Sequence, residues 1–317
     1  MGRFIEQNLP MKNFLFLLCI LSLCFGCDKA YDLNKIESGD VTIGNDQSEW
    51  IMPLAQITVG MDELQDGSAD IRAIFDEVDI WLPTTLPGNA VDIVRLSSDG
   101  TYLDGMLEAL IDEMLVPGSK KMDEVVDLIW SNEGYRERFT ALIPADSEEL
   151  FKAEFKKFFG EDNEAGEALR DTMGELAREF LSQIKINTIT YNATLDVDDD
   201  LIDMLADNLD PEGTVDPVNT LDLYGEVRSS LPVSFEVAAD FSETNVAIAP
   251  FLVEPDEEND IAPVRLYKDD IRSLFSFFEL NVDFMPQKYY PRIGFSDSQS
   301  IRMMLHLKKR GGLNLNL

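Results

Sequence analysis

The 317-residue sequence predicts an α+β protein: an antiparallel β-sheet or sandwich carrying a helical insertion of about four helices across residues 100–184. Three observations lead there. Apolar residues recur with a period of 3.6 through that central block. After it the period changes to two. Most of those later strands are apolar on one face, as in antiparallel sheets packed on one side.

In order along the chain, residues 28–48 are polar and rich in Gly and Asp, a tether merging into a first strand near Val41–Ile43. Trp50–Val59 (WIMPLAQITV) is apolar and β-prone, and Pro53 favours an edge or a bulge there. A short helix is expected over Asp70–Val78, then loop and strand through TTLPGNAVDIVRLSS to Ser98. In Thr101–Val116 the residues Leu103, Met106, Leu107, Leu110, Ile111, Met114 and Leu115 hold one helix face until Pro117-Gly118 stops it. Met122, Val125, Val126 and Ile129 repeat the pattern, and residues 134–143 add a short helix. Asp146, three residues before Glu149, reads as a capping-box start for a helix carrying Phe151, Phe155, Phe158 and Phe159. The last helix carries Leu169, Met173, Leu176, Ala177, Phe180, Leu181 and Ile184. These stripes are expected to be core.

Alternation then marks Ile189–Val197, Val233–Phe241, Phe278–Phe284 and Ile301–Leu307 as strands, with Met304 the one apolar exception in the last, and Leu221–Arg228 and Val246–Val253 as further candidates. The Val246 segment is apolar on both faces and reads as central. In the C-terminal strand, Arg302, His306 and Lys308 share the polar face. That face is expected to solvate His306 and to meet acidic neighbours such as those on Phe278–Phe284.

Composition bounds the chemistry. With 45% hydrophobic and 9% aromatic residues the chain can build a core, despite a formal net charge of −34. That charge argues against nucleic acid, whose affinity rests on Lys and Arg neutralising phosphates. It also disfavours lying flat on an anionic membrane surface.

All three cysteines, Cys19, Cys24 and Cys27, fall in the first 27 positions. Phe14–Phe25 is a twelve-residue apolar run, too short to span a bilayer but the right length for a signal h-region. Met11-Lys12-Asn13 supplies a basic n-region, so translation is expected to start at Met11 and residues 1–26 to leave as a signal peptide. The segment Leu23-Cys24-Phe25-Gly26-Cys27 resembles a bacterial lipobox, with Gly26 before the cysteine that would carry lipid. The following CDKAYDLNKIESGDVTIG resembles the start of mature outer-membrane lipoproteins of the Bacteroides group. That resemblance implies an outer-membrane lipoprotein acylated at Cys27, and it supplies no catalytic or binding residues. The domains expected are therefore a leader to 26, a lipidated tether over 27–48 and an acidic globular domain over 49–317.

The search for chemistry is mostly negative. One histidine, His306, excludes a His-cluster metal site. There is no Gly-rich phosphate loop, no GxSxG elbow and no cysteine pair for a metal. Asp196, Asp198 and Asp200 match positions 1, 3 and 5 of a calcium loop, but Leu201 stands where Gly is needed and Asp207 where a bidentate Glu is needed. A strand end and a capped helix over Leu201–Ala206 explain the same residues. No cofactor is expected.

Two function classes follow. One is a membrane-anchored, non-enzymatic interaction or structural protein of the outer membrane, whose partners are the membrane itself and another envelope protein or a polysaccharide. The other is a surface accessory for carbohydrate or another nutrient, or a degenerate hydrolase. An exposed cluster drawn from Trp81, Trp130, Tyr289 and Tyr290 would mark carbohydrate binding, and two inward carboxylates of raised pKa would mark hydrolysis.

Overall fold

Ile301, Met303, Leu305 and Leu307 alternate with Arg302, His306 and Lys308, Met304 being the one apolar exception, and all four point inward with at most 3% of their surface exposed. A strand with one such face needs hydrogen-bonded neighbours on both edges to lie mid-sheet, and this one has them. The computed structural model describes residues 41–315 except 65–69, 196–198, 242–245 and 277. Within it Thr42–Asn314 forms one compact unit.

The chain begins with β1 (Val41–Ile43) and β2 (Glu49–Gly60), then one turn of helix, α1 (Met61–Leu64). Helix α2 (Ile71–Trp81) starts at Asp70, whose side chain accepts the Arg72 amide, and buries Ile71, Phe75, Val78 and Trp81 along one stripe. A loop leads to β3 (Val91–Asp92) and directly into α3 (Ile93–Ser98). The loop-and-strand expectation for 91–98 is thus corrected after two residues. Asp92 accepts the Arg95 amide at 2.9 Å, and that cap starts a helix where the side-chain pattern is too short to show one.

Five helices, where about four were expected, fill residues 100–184: α4 (Gly100–Leu115), α5 (Lys120–Ser131), α6 (Glu133–Thr140), α7 (Glu148–Phe159) and α8 (Glu164–Leu181). Their buried faces follow the predicted stripes, except that Leu115 is exposed and Ile111, Phe158 and Phe180 are half-buried. The start of α7 lies one residue later than expected. Ser147, not Asp146, accepts the Leu150 amide, leaving Glu148 and Glu149 in the first turn. Phe151, Phe155 and Phe159 are fully buried there, each worth roughly 1.5–3 kcal/mol.

The remaining elements are β4 (Ile189–Leu195), α9 (Asp199–Asp207), β5 (Thr220–Ser229), β6 (Val233–Phe241), β7 (Ala247–Val253) and β8 (Glu258–Leu266). After them come α10 (Lys268–Ser276), β9 (Phe278–Tyr289), β10 (Ser300–Arg310) and β11 (Leu313–Leu315). Strand pairing is antiparallel throughout both large sheets. One runs β2–β10–β5–β8; the other runs β3–β9–β6–β7, with β4 also on β9. A single contiguous apolar cluster takes residues from both sheets and from the helices. The α+β class is as the sequence predicts.

Three strand expectations need comment. Pro53 sits on an edge strand, and the β2–β10 register slips beside it, pairing Leu305 with Ala55 but His306 with Pro53. The Val246–Val253 segment is an edge, not the centre. Ala249, Pro250 and Leu252 are exposed, and a proline without an N–H is tolerated at an edge. Finally, β10 pairs with β2 and β5 rather than with Phe278–Phe284. Its basic face meets Glu49, which bonds Lys308 at 2.9 Å and Arg310 at 3.1 Å, and Lys308 lies opposite Asp222. A single strand's alternation gives its faces but not its neighbours.

Candidate functional site

A cleft of about 390 Å³ lies where the end of α2, the following loop, the start of α5 and the loop after β9 converge. Asp79 and Ile80 come from α2; Leu82, Pro83, Thr84, Leu86 and Asn89 from the loop; Lys121 and Glu124 from α5; Pro291 and Arg292 from beyond β9. The loop is held by Glu113 of α4, which accepts both the Thr84 amide at 2.7 Å and its hydroxyl at 2.5 Å. Gly88 and Asn89 turn it back through left-handed backbone, at φ 66° and 58°.

Lys121 is 7% exposed, an unusual state for a lysine, and two bonds explain it. Its Nζ donates to the Asp79 carbonyl at 2.9 Å, a helix C-terminal acceptor that has no partner in its own helix. The same Nζ pairs with Glu124 at 2.9 Å. Asp79 is half-buried. Burial pushes its carboxyl up to about 6, aided by neighbouring Asp76 and opposed by the Tyr289 hydroxyl and the Lys121 charge. Its Oδ1 is buried with no hydrogen-bond partner. Facing it, Tyr289 is raised by burial and by the Asp79 charge.

Such a group can hold or release a proton near neutral pH, yet glycoside hydrolysis needs two opposed carboxyls. Glu124 is tied to Lys121, so the cleft presents Asp79 alone. Among the described residues no group of three or more His, Cys, Asp or Glu is placed to hold a metal ion.

The residues predicted from sequence fare unevenly. Cys27, Asp196 and Asp198 lie outside the described residues, and Asp200 falls in the first turn of α9. At the far end of that motif Asp207 is engaged by Lys268 at 2.5 Å and Arg272 at 3.7 Å. The aromatic candidates do not form one exposed platform. Trp81 is fully buried and donates to Glu77, which also accepts the Tyr135 hydroxyl. Tyr289, 1% exposed, is stacked with Phe295 at 5.8 Å. Trp130 is half-buried under Arg136, and Tyr290 donates its hydroxyl to Glu254. His306 is half-buried rather than solvated, with its ring 5.5 Å from Tyr224 and its Nδ1 buried without a partner. A mid-sheet position explains this, because residues on β2 and β5 flank the ring.

Asp79, Lys121 and Arg292 were not singled out by sequence. Asp79 had a signal, since it lies four residues after Phe75 and so on the buried side of α2. Lys309 had one too. It continues the inward series of β10 and is fully buried, donating to the Arg310 and Gly312 carbonyls and to Asn219, while burial pulls its pKa down to about 8.

No protein-family model matches the chain, and no curated protein matches it. Among solved structures, a candidate secreted protein from Parabacteroides distasonis shares 16% identity with a TM-score of 0.26, over 39% of this chain and 38% of its own. The chain thus spans well under half of that protein, and a superposition this loose transfers neither fold nor site. Among the described residues no helix is long and apolar enough to cross a membrane.

Proposed function

We propose that this chain is a lipid-anchored protein of the bacterial outer membrane that works by binding and not by catalysis. The cleft carries the binding half of this reading. It has apolar walls, a lone perturbed carboxyl and a lysine spent on structural bonds, which suits recognition better than a two-carboxyl reaction. The leader supports the anchoring half: a basic start at Met11, a twelve-residue apolar run, and Gly26 before Cys27. A thiol-free chain after Cys27 supports it further, because an isolated cysteine in an oxidising compartment is a liability unless it is modified. Burial of Trp81 and Tyr289 weighs against the carbohydrate alternative, which needs exposed rings.

Labelled palmitate fed to producing cells should enter the wild type and not Cys27→Ala. Equal labelling of both defeats the anchoring reading. Acylation at more than one position would hold the protein stably, where a single chain binds membranes only marginally.

A further inference from the structure

Lys309 of β10 is fully buried, and one of its hydrogen bonds ends on the side chain of Asn219, 90 positions away in the chain. Strands β10 and β5 run antiparallel, and the pairing of Arg310 with Thr220 brings Asn219, the residue before β5, alongside Gly311. Only glycine fits there. A Cβ on Gly311 would stand 2.2 Å from Asn219 Oδ1, and its φ of 87° is left-handed. The carboxamide is thus held over the backbone where the lysine ends. Nζ lies 3.4 Å from Oδ1, and Cγ is one carbonyl bond, about 1.23 Å, beyond that oxygen, so a rotation of the lysine's last bonds brings nitrogen to carbon.

Asp210 stands beside the carboxamide. Its Oδ2 accepts the Asn219 amide at 2.9 Å and the Val218 amide at 2.7 Å, which holds the carboxyl below its usual range and so ionised. Its Oδ1 faces Asn219 Nδ2 at 3.4 Å. Asp210, Asn219 and Thr220 also line a cavity of about 30 Å³, room for a molecule the size of water, and the Thr220 hydroxyl oxygen is buried with no partner. An amine, a carboxamide, a carboxylate beside the leaving nitrogen and space for what leaves are the parts of a transamidation.

We propose that Lys309 and Asn219 are joined by an intramolecular isopeptide bond. The neutral amine of Lys309 attacks Asn219 Cγ and the Nζ–Cγ bond forms. The proton that Nζ loses passes to Asp210 Oδ1 and from there to Nδ2; the Cγ–Nδ2 bond breaks, and ammonia leaves into the cavity. No oxidant, reductant or cofactor is consumed. Nζ also donates to the Arg310 and Gly312 carbonyls, but attack there would cut the main chain, whereas the carboxamide loses only ammonia. Burial pulls Lys309 down to about 8, which leaves an appreciable share as free base near neutral pH, as a nucleophile requires. Fixed geometry replaces concentration, since well-oriented groups reach effective molarities of about 10⁵–10⁸ M. The bond would clamp the start of β5 to the end of β10, just before β11 and its partner β1. It rests on neither the anchor nor the cleft.

Purified full-length wild type, digested with trypsin and read by mass spectrometry, should give one species joining the peptide of Asn219 to that of Lys309, lighter than their sum by one ammonia. Cleavage after Lys309 should be lost, because an acylated lysine is no trypsin site. Asn219→Ala and Lys309→Arg should give the two peptides apart. Asp210→Asn, with circular dichroism matching the wild type, should be largely unlinked, because loss of a proton carrier slows such a step by about 10²–10⁴-fold. The proposal is overturned if wild type yields only separate peptides, a result that needs no variant to fold, or if the linked species survives Asn219→Ala. A folded Asp210→Asn that is fully linked overturns the proton path.

Discussion

Gly225 sits in β5, one strand from the sheet edge, where Leu305 of β10 is its partner on one side and Ile261 of β8 on the other. Its backbone is not left-handed, so alanine could adopt its conformation. The obstacle is the neighbour. A Cβ built there would stand 2.1 Å from the Met304 carbonyl oxygen and 3.1 Å from a Leu305 methyl. Carbon–oxygen contacts between strands normally lie near ~3.3–3.6 Å, so β5 and β10 would have to part by roughly 1.2 Å. A ladder bond near ~2.9 Å opened that far passes beyond hydrogen-bonding range. Two or three lost bonds at about 0.5–1.5 kcal/mol each, with about 1–3 kcal/mol for overpacking, give roughly 2–7 kcal/mol. The stiffer unfolded chain returns only about 0.4–1 kcal/mol. Against a typical net stability of about 5–15 kcal/mol, Gly225→Ala should lose a large part of the whole.

Urea unfolding followed by tryptophan fluorescence measures it, with Gly105→Ala as the control. Gly105 lies on the exposed side of α4 with open space where its Cβ would go, so that change should stabilise the helix by up to about 1 kcal/mol. If Gly225→Ala unfolds at the wild-type midpoint, the close approach of β5 and β10 is wrong, and with it the register that places Gly225 against Leu305.

Truncation after Ser300 removes the strand between β2 and β5, and four buried apolar side chains at roughly 1.5–3 kcal/mol each should leave no cooperative melt. A truncated chain that melts and resists protease like the wild type would show that β10 is dispensable. Asp79→Asn tests the raised carboxyl. Because the folded pKa of about 6 exceeds the ordinary 3.8, the folded state holds its proton more tightly, and Asp79 lowers stability as pH rises through that window. At pH 7.5 the variant should be more stable by about 1–3 kcal/mol, the gain shrinking toward pH 4; a less stable variant at pH 7.5 would sink this account.

Much of the fold is legible because most elements carry one clean period. Leu103 through Met114 and Ile301 through Leu307 announce their buried faces without help from the rest of the chain. The misses share a cause. In β8, Glu258–Leu266, charged residues and Pro263 break the alternation, and the strand exists because β5 supplies its ladder. Helix α10 is nine residues long, too short for a convincing stripe. For β7 the apolar composition suggested the sheet centre, yet an edge strand covered by little else can be equally apolar. Neighbours are set by which faces find each other in three dimensions.

The cleft shows the limit more sharply. Its charged groups lie at residues 79, 121, 124 and 292, and no local spacing links them. Trp81 and Tyr289 drew attention as large aromatics, but their faces were spoken for: Trp81 completes the stripe begun at Ile71, and Tyr289 follows the inward series Phe284, Val282 and Leu280, one step displaced by the register shift near Ser234 and Phe235. Both are therefore buried instead of facing solvent. The residue that violates a pattern was the better guide. Asp79 is a carboxylate on a buried helix face, and Lys309 is a cation at an inward strand position. Each breaks the rule that its element otherwise obeys, and each has a pKa shifted by burial. What separates them is partnership. Lys309 donates to three acceptors and so ties the chain end to Asn219, whereas Asp79, a residue of the cleft lining, keeps one buried oxygen unpaired. A buried polar group with all its bonds made is structure; one with a bond still to make, next to space for a ligand, is where binding is to be sought.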